Sequence, residues 1–453
     1  MNLFIPLYIF LLPVIRNKYW NKQKKTCNIL LMESLKIAIF EITLIKKLIF
    51  QAGGYMSDSS KIVSGSHAGS PEPARIPCES AESFCVHGYT PVEEKTGAVA
   101  TPIYLSTTFA HPELGISTGY DYGCCLNPTR FELEQTVAAL EHCHYALGFS
   151  SGMTALSAVL KYFSPGDEII VSDDLYGGTY RIFEIYRRFG IKAVYIDTSN
   201  LREVKKNINP KTRAIFIETP SNPTMKVTSI KDCADLIHAN GGILIADNTF
   251  LSPYLQTPKD FGADVIIHSG TKFLSGHHDV LCGFLIYDKK EFDDLFRFIQ
   301  ISEGGVLSPF DAFLVLRGIK TLAVRIEKAQ KNAEKITDFL CKNTNVKKVY
   351  YPSLLPAEQK QIYKSQAQGY GAMISFTVES PQKVSDFLKK LKFILFAESL
   401  GGVQTLVTYP ASQTHNFIPK EMREKTGVTD TLLRLSVGIE NADELIADIK
   451  QAL

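Results

Sequence analysis

A lysine flanked by hydroxyl side chains follows an apolar run near the middle of the chain. The run Asp264-Val265-Ile266-Ile267 leads into His268-Ser269-Gly270-Thr271-Lys272 and then into Gly276-His277-His278-Asp279. Two hydroxyls beside one lysine at a strand end can hold a phosphate while the amine condenses with an aldehyde. Because a lysine near serine and threonine is more often a solvated surface residue, this assignment needs support from other segments.

A carboxylate ends a second apolar run. Ile243 to Ala246 are all apolar, and Asp247 follows them directly. A buried carboxylate is costly unless it has a cationic partner. A protonated pyridine nitrogen is such a partner, and keeping it protonated makes the ring an electron sink. Taken alone, Asp247 is equally suited to capping a turn or a helix, and that alternative stays open.

A third segment, Ser150-Ser151-Gly152-Met153-Thr154, opens a helical pattern that runs to about Tyr162. The free N–H groups and the dipole at the start of a helix bind anions. A short Ser/Gly turn is common, so this segment gains weight only beside the other two.

The elements that must position these residues form an alternating pattern. Between about residues 150 and 290, short β-branched apolar runs alternate with amphipathic segments of helix length, which predicts a parallel sheet in an α/β fold. In such sheets ligands lie beyond the carboxyl ends of the strands. The predicted strands are 168–171, 193–196, 214–217, 243–246 and 264–267.

After residue 308 the pattern changes. A long helical pattern at about 310–342 is followed by strands at Met373–Val378 and Leu432–Val437 and by helices at 382–391 and 441–452. This part is predicted to be a smaller α+β domain.

Composition excludes several classes of function. The 49 basic and 47 acidic residues are spread without long blocks of one sign, so neither a nucleic-acid groove nor an acidic partner is predicted. The nine cysteines include no C-x-x-C pair and no Cys/His ligand spacing, which argues against a disulfide framework and a metal site. Reduced thiols in a cytoplasmic protein are the simplest interpretation.

The order of the motifs resembles one family, the Cys/Met-metabolism enzymes that depend on pyridoxal 5'-phosphate (PLP). This family includes cystathionine γ-synthase, cystathionine β- and γ-lyases, methionine γ-lyase and O-acylhomoserine sulfhydrylases. The resemblance covers about residues 82–453. It rests on YDY at 120, NPT at 127, SSGMTA at 150, LYGGTYR at 175, ETPSNPT at 218, ADNTF at 246, HSGTKFLSGHHD at 268, SLGG at 399, TYPASQTH at 408 and LLRLSVGIE at 432.

The resemblance implies the PLP-dependent transferase fold of type I, like that of aspartate aminotransferase, with a large parallel-sheet cofactor domain and a smaller α+β C-terminal domain. It also implies how the cofactor is held. Lys272 would be the Schiff-base lysine and proton shuttle, and Asp247 would pair with the pyridine nitrogen. The phosphate ligands would be the amides of Gly152 and Met153, the hydroxyls of Ser269 and Thr271, and Tyr122 of a neighbouring subunit.

The resemblance implies further roles around the ring and the substrate. Tyr176 would stack on the ring and assist proton transfer or departure of the leaving group, and Asn222 would bond the ring's phenolic oxygen. Arg434 would clamp the substrate carboxylate, for which a planar guanidinium is suited, and Ser399 would steady Lys272 or the substrate. Asp121 and Arg181 are the remaining predicted substrate-binding residues.

The implied reaction makes or breaks a C–S bond of a sulfur amino acid. Gly178 stands where methionine γ-lyases usually have a reactive cysteine, and TYPASQTH is most similar to bacterial cystathionine γ-synthase/O-acetylhomoserine thiol-lyase enzymes. We therefore expect γ-replacement on an O-acyl-L-homoserine by cysteine. Gln404 replaces the usual glutamate, so β- or γ-elimination from cystathionine is the alternative, and a chain that has kept the fold but lost catalysis is a minor one.

The implied assembly is a homotetramer of dimers that share active sites. The predicted division of the chain is an apolar extension at 1–55, a polar linker at 56–81, an arm at 82–135 that contributes to the neighbouring subunit, a PLP-binding domain at 136–308 and the C-terminal domain at 309–453. The apolar run Leu3–Ile15 is short for a membrane span and poor as a secretory signal. We expect residues 1–55 to be dispensable, with Met56 as a candidate start, and a membrane anchor is the alternative.

One position departs from the family in a consequential way. The family's arginine in Tyr-x-Arg-x-x-Asn-Pro-Thr reaches the cofactor phosphate across a subunit interface, whereas this chain has Cys124 there. A thiol cannot replace a guanidinium, so we expect weaker cofactor binding unless Arg130 compensates. A redox role for the Cys124-Cys125 pair is the less favoured alternative.

Overall fold

The short apolar runs of the first half of the chain form a seven-stranded sheet in the computed structural model, which describes residues 80–90 and 92–453. The predicted extension at 1–55, the candidate start at Met56 and nearly all of the linker lie outside the described residues. The strands are β1 (Tyr145–Phe149), β2 (Glu168–Ser172), β3 (Lys192–Ile196), β4 (Thr212–Glu218), β5 (Ile243–Asp247), β6 (Val265–His268) and β7 (Gly283–Tyr287).

Helices cover both faces of this sheet, as alternate residues of β5 show. Leu244 and Ala246 belong to one buried apolar cluster, and Ile243 and Ile245 belong to another. Strands with both faces buried read as continuous apolar runs, which is why the sequence revealed them. The helices up to residue 303 are α1 (Ala81–His87), α2 (Pro128–Leu140), α3 (Gly152–Leu160), α4 (Gly177–Arg187), α5 (Leu201–Asn207), α6 (Ile230–Ala239), α7 (Ser252–Leu255) and α8 (Lys290–Glu303).

The strand order is β1-β7-β6-β5-β4-β2-β3, and it places a crevice between β2 and β4. The chain leaves β2 towards β3 at one edge, whereas it leaves β4 towards β5 in the opposite direction. Such a reversal opens a ligand crevice at the carboxyl ends of the strands. The loops that begin at residues 173 and 219 therefore border the predicted site.

The five predicted strands of this sheet pair in parallel, whereas β7, which was not predicted, runs in the opposite direction. β7 pairs antiparallel with both β6 and β1, whereas all other pairs in this sheet are parallel. The connection between β6 and β7 contains no helix, so the chain turns back on itself; a parallel partner would have needed a crossover. The predicted α/β class is nevertheless confirmed.

The second half of the chain forms a five-stranded sheet with the order β10-β11-β12-β9-β8. Its predicted strands β9 and β12 are confirmed as direct antiparallel neighbours. All strands of this sheet lie after residue 308 and all strands of the larger sheet lie before it, although the domain boundary itself stays a prediction. The strands are β8 (Val346–Tyr350), β9 (Met373–Val378), β10 (Leu395–Phe396), β11 (Leu406–Thr408) and β12 (Leu432–Ser436).

The single helix predicted at about 310–342 is two helices, α9 (Pro309–Ile319) and α10 (Leu322–Lys342). The carbonyl of Gly318 would accept from Leu322 in a continuous helix, but here it accepts from the buried guanidinium of Arg325 at 2.8 Å and from the amide of Thr321 at 3.1 Å. The helix therefore ends at this point. The last helices are α11 (Ala357–Gln366), α12 (Pro381–Lys390), α13 (Lys420–Lys425) and α14 (Ala442–Ala452).

None of the helices formed by the described residues is both long and apolar enough to cross a membrane.

Candidate active site

Lys272 lies in the connection that follows β6, partly buried among polar groups. Its Nζ donates a hydrogen bond to the Ser399 hydroxyl at 3.3 Å. Burial and, second, the positive charge of Arg434 lower the pKa of Lys272 to about 8. More of this amine than of an ordinary lysine is therefore uncharged and nucleophilic near neutral pH, as condensation with an aldehyde requires.

Asp247 is the last residue of β5 and stands beside Glu218, the last residue of β4. Its Oδ1 accepts from the amide of Thr249 at 3.0 Å, so the turn-capping role left open by the sequence is present. Within the described part of the chain, no residue other than Thr249 donates a hydrogen bond to this carboxylate. Burial raises the pKa of Asp247, and the bonds from Thr249 oppose that rise. The carboxylate thus remains available to a cationic partner.

The start of α3 and Ser269 form a cradle. Ser151 caps the helix by accepting from Thr154, and the amides of Gly152 and Met153 have no acceptor within the described part of the chain. A Cβ added at Gly152 would come within 3.1–3.3 Å of Ser269, so the helix end and Ser269 are in direct contact. The geometry suits a phosphate because helix N-termini bind anions.

Thr271 is engaged differently from Ser269. Its hydroxyl donates to the carbonyl of Cys282 at 3.1 Å and accepts from the Cys282 amide at 3.0 Å. A phosphate oxygen would therefore compete with that carbonyl for the hydroxyl proton. The predicted phosphate contact of Thr271 stays a prediction.

Arg434, on β12, is a buried guanidinium without a carboxylate partner within ion-pair distance among the described residues. Its Nη1 donates to the Asn222 side chain at 2.7 Å, and Nη2 lies 3.3 Å from both the Ser399 carbonyl and the Thr408 hydroxyl. Its buried Nε has no hydrogen-bond partner in residues 80–90 and 92–453. Burial lowers the pKa of Arg434 to about 10, and the nearby Glu218 opposes this. A buried, incompletely satisfied guanidinium is suited to receive a carboxylate.

Tyr176 precedes α4 and lies beside the start of α3. Its amide donates to the Glu218 carboxylate at 3.0 Å. A Cβ at Gly178 would overlap the Tyr176 ring and would lie 3.0 Å from the sulfur of Met153. The absence of a side chain at Gly178 therefore leaves the space that the Tyr176 ring occupies.

Three predicted substrate or cofactor residues are not brought to Lys272 within the chain. Asp121 accepts from Ser117 at 2.5 Å, and the exposed Arg181 stacks its guanidinium 4.5 Å from the Phe417 ring centroid. Tyr122 is half-exposed and pairs with the backbone of Thr108. Their predicted roles, including that of Tyr122 in a neighbouring subunit, stay predictions.

The proposed compensation by Arg130 is contradicted by its position. Arg130 is buried in its own chain, where Nη1 donates to the Gly123 carbonyl at 2.9 Å and Nη2 to the Cys124 carbonyl at 3.3 Å. Its Nε lies 3.4 Å from the carboxylate of the equally buried Glu134. The side chain therefore anchors the backbone at 123–124 and is not free to bind a phosphate.

Two residues of the site were missed by the sequence analysis. Glu218 ends an apolar strand just as Asp247 does, so the signal used for Asp247 could have found it; burial and Asp247 raise the pKa of Glu218 well above its usual value. His415 carries no such signal. It is buried, its Nε2 contacts the Asn222 carbonyl at 3.1 Å, and burial lowers its pKa to about 4.

The cluster fits the expected cofactor at several points. The Lys272 amine can meet an aldehyde, the Gly152–Ser269 cradle can hold a phosphate, and the Asp247 carboxylate can meet a ring cation. No cluster of His, Cys, Asp and Glu suited to a metal ion occurs in residues 80–90 and 92–453.

Comparison with known proteins gives matches over the same range. The family model for Cys/Met metabolism PLP-dependent enzymes matches residues 82–453. The cystathionine gamma-lyase of Bacillus subtilis (strain 168) is 46% identical, with 82% of this chain and 98% of the relative covered. The cystathionine gamma-synthase of Haemophilus influenzae is 45% identical, with 80% and 94% covered. The crystal structure of cystathionine gamma-lyase from Lactobacillus plantarum complexed with L-serine superimposes with a TM-score of 0.80 at 39% identity, covering 82% of this chain and 98% of that one.

Proposed function

Because the chain belongs to the family of Cys/Met metabolism PLP-dependent enzymes, we propose that it joins L-cysteine to an O-acyl-L-homoserine by γ-replacement. The product would be cystathionine. The family is one of trans-sulfuration enzymes, its cofactor is PLP, and the type I fold expected for it is that of the solved relatives. The choice of reaction within the family is our proposal.

Each part of the cofactor has a candidate partner in the cluster. Lys272 would hold its aldehyde carbon, Asp247 its ring nitrogen, and the amides of Gly152 and Met153 with the Ser269 hydroxyl its phosphate. When bound, PLP supplies a ring that delocalises the electrons released as bonds at the substrate's α- and β-carbons break.

The chain's own residues would bind the substrate and move its protons. Arg434 would take the α-carboxylate, since its Nε is unpaired and its Nη groups face Asn222 and Ser399. The Lys272 amine, with its pKa near 8, can accept a proton from one carbon and return it to another at neutral pH. Ser399 contacts both the Lys272 amine and the Arg434 guanidinium and would fix their positions relative to each other.

The single observation that carries the proposal is the shared environment of Lys272 and Arg434. Ser399 joins them, with its hydroxyl bonded to the amine and its carbonyl to the guanidinium. An amino acid whose carboxylate sits on Arg434 would therefore present its α-carbon close to the Lys272 amine. That arrangement supports chemistry at an amino acid's α-carbon and argues against the alternative of a non-catalytic chain.

Elimination from cystathionine is the second candidate. Gln404, at the position where relatives usually have glutamate, is exposed and follows the Gly401-Gly402 turn. A neutral amide there cannot form the ion pair that a glutamate would form with the distal ammonium group of cysteine or cystathionine. Lyases and synthases among the relatives have nearly equal sequence identity to this chain, so sequence identity does not favour synthesis over elimination.

The partition between the two reactions is directly measurable. Purified holoenzyme would be given O-acetyl-L-homoserine with L-cysteine in one assay and L-cystathionine alone in another. We expect cystathionine to form in the first at a higher kcat/KM than ketoacid is released in the second. The reverse ratio would assign the chain to the lyases, and turnover in neither assay would contradict both candidates.

A further inference from the structure

The turn that follows Lys272 holds a histidine in an unusual backbone conformation. His278 has a φ of 58°, in the left-handed region that few non-glycine residues occupy. It follows Gly276, whose φ is 71° and whose amide donates to the Lys272 carbonyl at 2.8 Å. Such conformations persist only where the surroundings impose them, and they concentrate at functional sites.

The imidazole of His278 packs against the loop that carries Ser399. A Cβ at Gly402 would overlap the His278 ring, so the ring lies directly on the backbone of that glycine. The two segments are also joined by the Val403 amide, which donates to the Gly276 carbonyl at 3.0 Å. Because Ser399 in the same loop bonds Lys272, the imidazole borders the wall of the proposed active site.

One ring nitrogen of His278, Nδ1, is open to a ligand, because Nε2 is the ring atom packed closest to Gly402. Neither ring nitrogen has a hydrogen-bond partner within the described part of the chain, and the residue is exposed. The neighbouring His277 differs, since its Nδ1 contacts the Ser275 carbonyl at 2.7 Å. His277 therefore offers a matched comparison in the same turn.

The charge state of His278 follows from the groups that face it. Partial burial and, second, the Lys272 cation lower the pKa of His278 below its usual 6.5; His277 acts in the same direction and Asp279 opposes it. Gly402, which the ring packs against, brings no charge. The imidazole is accordingly neutral at pH 7 and able to accept a proton.

We propose that His278 is a catalytic residue that exchanges the proton on the substrate's sulfur atom. This inference rests on the proposed trans-sulfuration function and deepens it, because it names the group that handles the thiol. It applies equally to synthesis and to cleavage of the C–S bond.

The proton and electrons balance in both directions. In replacement, the thiol of cysteine gives its proton to the imidazole, the sulfur's electron pair forms the bond to the γ-carbon, and the acyl group departs with its bonding electrons as a carboxylate. The imidazolium then passes its proton to water. In cleavage, His278 first takes a proton from water; the C–S electrons then leave with the sulfur, and the imidazolium gives that proton to the sulfur, which departs as a thiol.

The test compares reactions that need a sulfur proton transfer with one that does not. Release of acetate from O-acetyl-L-homoserine alone expels a carboxylate, whereas cystathionine synthesis and cystathionine cleavage both involve a thiol. The variant is His278→Asn, because asparagine tolerates the left-handed conformation and does not titrate. His277→Asn is the control, and the visible absorbance of bound PLP reports whether the site is intact.

We expect His278→Asn to lower thiol-dependent turnover at pH 7 by about 10²-fold, the low end for a positioned acid–base group, while acetate release and PLP content stay within twofold of wild type. The loss in synthesis should shrink towards pH 9, where the free thiol, with an ordinary pKa of about 8.5, ionises by itself. His277→Asn should behave like wild type.

Three results would overturn the proposal. Equal losses of acetate release and thiol-dependent turnover would mean that His278 supports the site as a whole. Unchanged thiol chemistry, or a synthetic defect that persists at pH 9, would remove the sulfur role. A wild-type enzyme that forms and cleaves no cystathionine would instead refute the proposed function, and this outcome is recognised before any variant is made.

Discussion

Lys272 and Arg434 are two cations joined through Ser399, and the charge of Arg434 lowers the pKa of Lys272. Burial is the largest cause of the lowered pKa of both side chains. The consequence at Lys272 is a nucleophile close to neutral pH. The consequence at Arg434, whose pKa stays near 10, is a charge that persists and needs a partner.

Removal of the Lys272 amine gives the most direct test of its role. We expect wild-type protein to be yellow with the absorbance of a PLP imine, and we expect Lys272→Ala to lose this absorbance and its turnover because no covalent link can form. The visible spectrum and a turnover assay check this. A fully active Lys272→Ala protein would contradict the assignment.

The pH dependence of cofactor capture tests the lowered pKa. Only the neutral amine attacks an aldehyde, so the rate at which apo-protein takes up PLP should rise as pH increases through about 8 and level off by pH 9. An ordinary lysine, with a pKa of about 10.4, would still show a rising rate at pH 10. Stopped-flow absorbance after mixing apo-protein with PLP distinguishes the two curves.

Cys124 offers a gain-of-function test. Cys124→Arg should lower the Kd for PLP at least severalfold and raise activity at limiting cofactor, because charge-assisted bonds to a phosphate contribute roughly 1.5–3 kcal/mol each. Titration of apo-protein with PLP gives the Kd, and Cys125→Arg is the neighbouring control. Equal affinity of wild type and Cys124→Arg would mean that another group already neutralises the phosphate.

At the scale of elements, the N-terminus of α3 and the turn after β6 act together. A methyl group at position 152 would lie 3.1 Å from the Ser269 Cβ and 3.3 Å from its Oγ, closer than packed side chains normally approach. Alanine also favours the helix itself. The substitution therefore changes the cradle without weakening α3.

We expect Gly152→Ala to raise the Kd for PLP severalfold while the far-UV circular dichroism of the apo-protein stays unchanged. Gly148→Ala in β1 is the control, because a Cβ there would make ordinary contacts at 3.5–3.6 Å. Fluorescence titration of both apo-proteins measures the difference. An unchanged Kd for Gly152→Ala would show that the phosphate does not lie at this helix end.

The elements show which structural features a sequence can reveal. β2, β4, β5 and β6 were predicted because strands buried on both faces leave an uninterrupted apolar pattern. The direction of β7 was not, because it depends on how the chain returns between residues 268 and 283. The break between α9 and α10 likewise depends on a contact from Arg325 to the Gly318 carbonyl, and no local pattern encodes it.

The candidate site shows the same division. Lys272 and Asp247 could be predicted because each stands at the carboxyl end of an apolar strand, and the Gly152 turn could be predicted because it opens a helical pattern. The burial of Arg130, the unpaired Nε of Arg434 and the free imidazole of His278 depend on tertiary contacts. These features became visible only with the fold.

At the scale of the whole molecule, His415 connects segments that belong to the two sheets. It lies between β11 and α13, and its Nε2–H donates to the carbonyl of Asn222, which follows β4. Its Nδ1 lies 2.8 Å from the Thr414 hydroxyl. Burial and, second, the charge of Arg434 disfavour another buried positive charge, so the ring of His415 is neutral at pH 7.

The stability of the protein should therefore fall in acid through His415. Between pH 6.5 and about 4 the unfolded chain binds a proton at this residue that the folded chain does not, so the free energy of unfolding decreases as pH falls through that window. His415→Gln should flatten this dependence by up to ~1.4 kcal/mol per pH unit. Urea unfolding at several pH values measures the slope, and the exposed His87→Gln is the control; a slope equal to that of wild type would contradict the argument.

Because Arg130 anchors the backbone of residues 123 and 124, the backbone path at position 124 is independent of the charge of its side chain. The guanidinium holds backbone carbonyls, and it also reaches the Leu307 carbonyl at 3.4 Å, so the path of the chain here does not depend on which side chain residue 124 carries. A survey of substitutions at 124 scored by protein abundance would accordingly be flat. The same survey scored by cofactor retention would rank arginine first. Selection for cofactor retention at position 124 would then not change protein abundance.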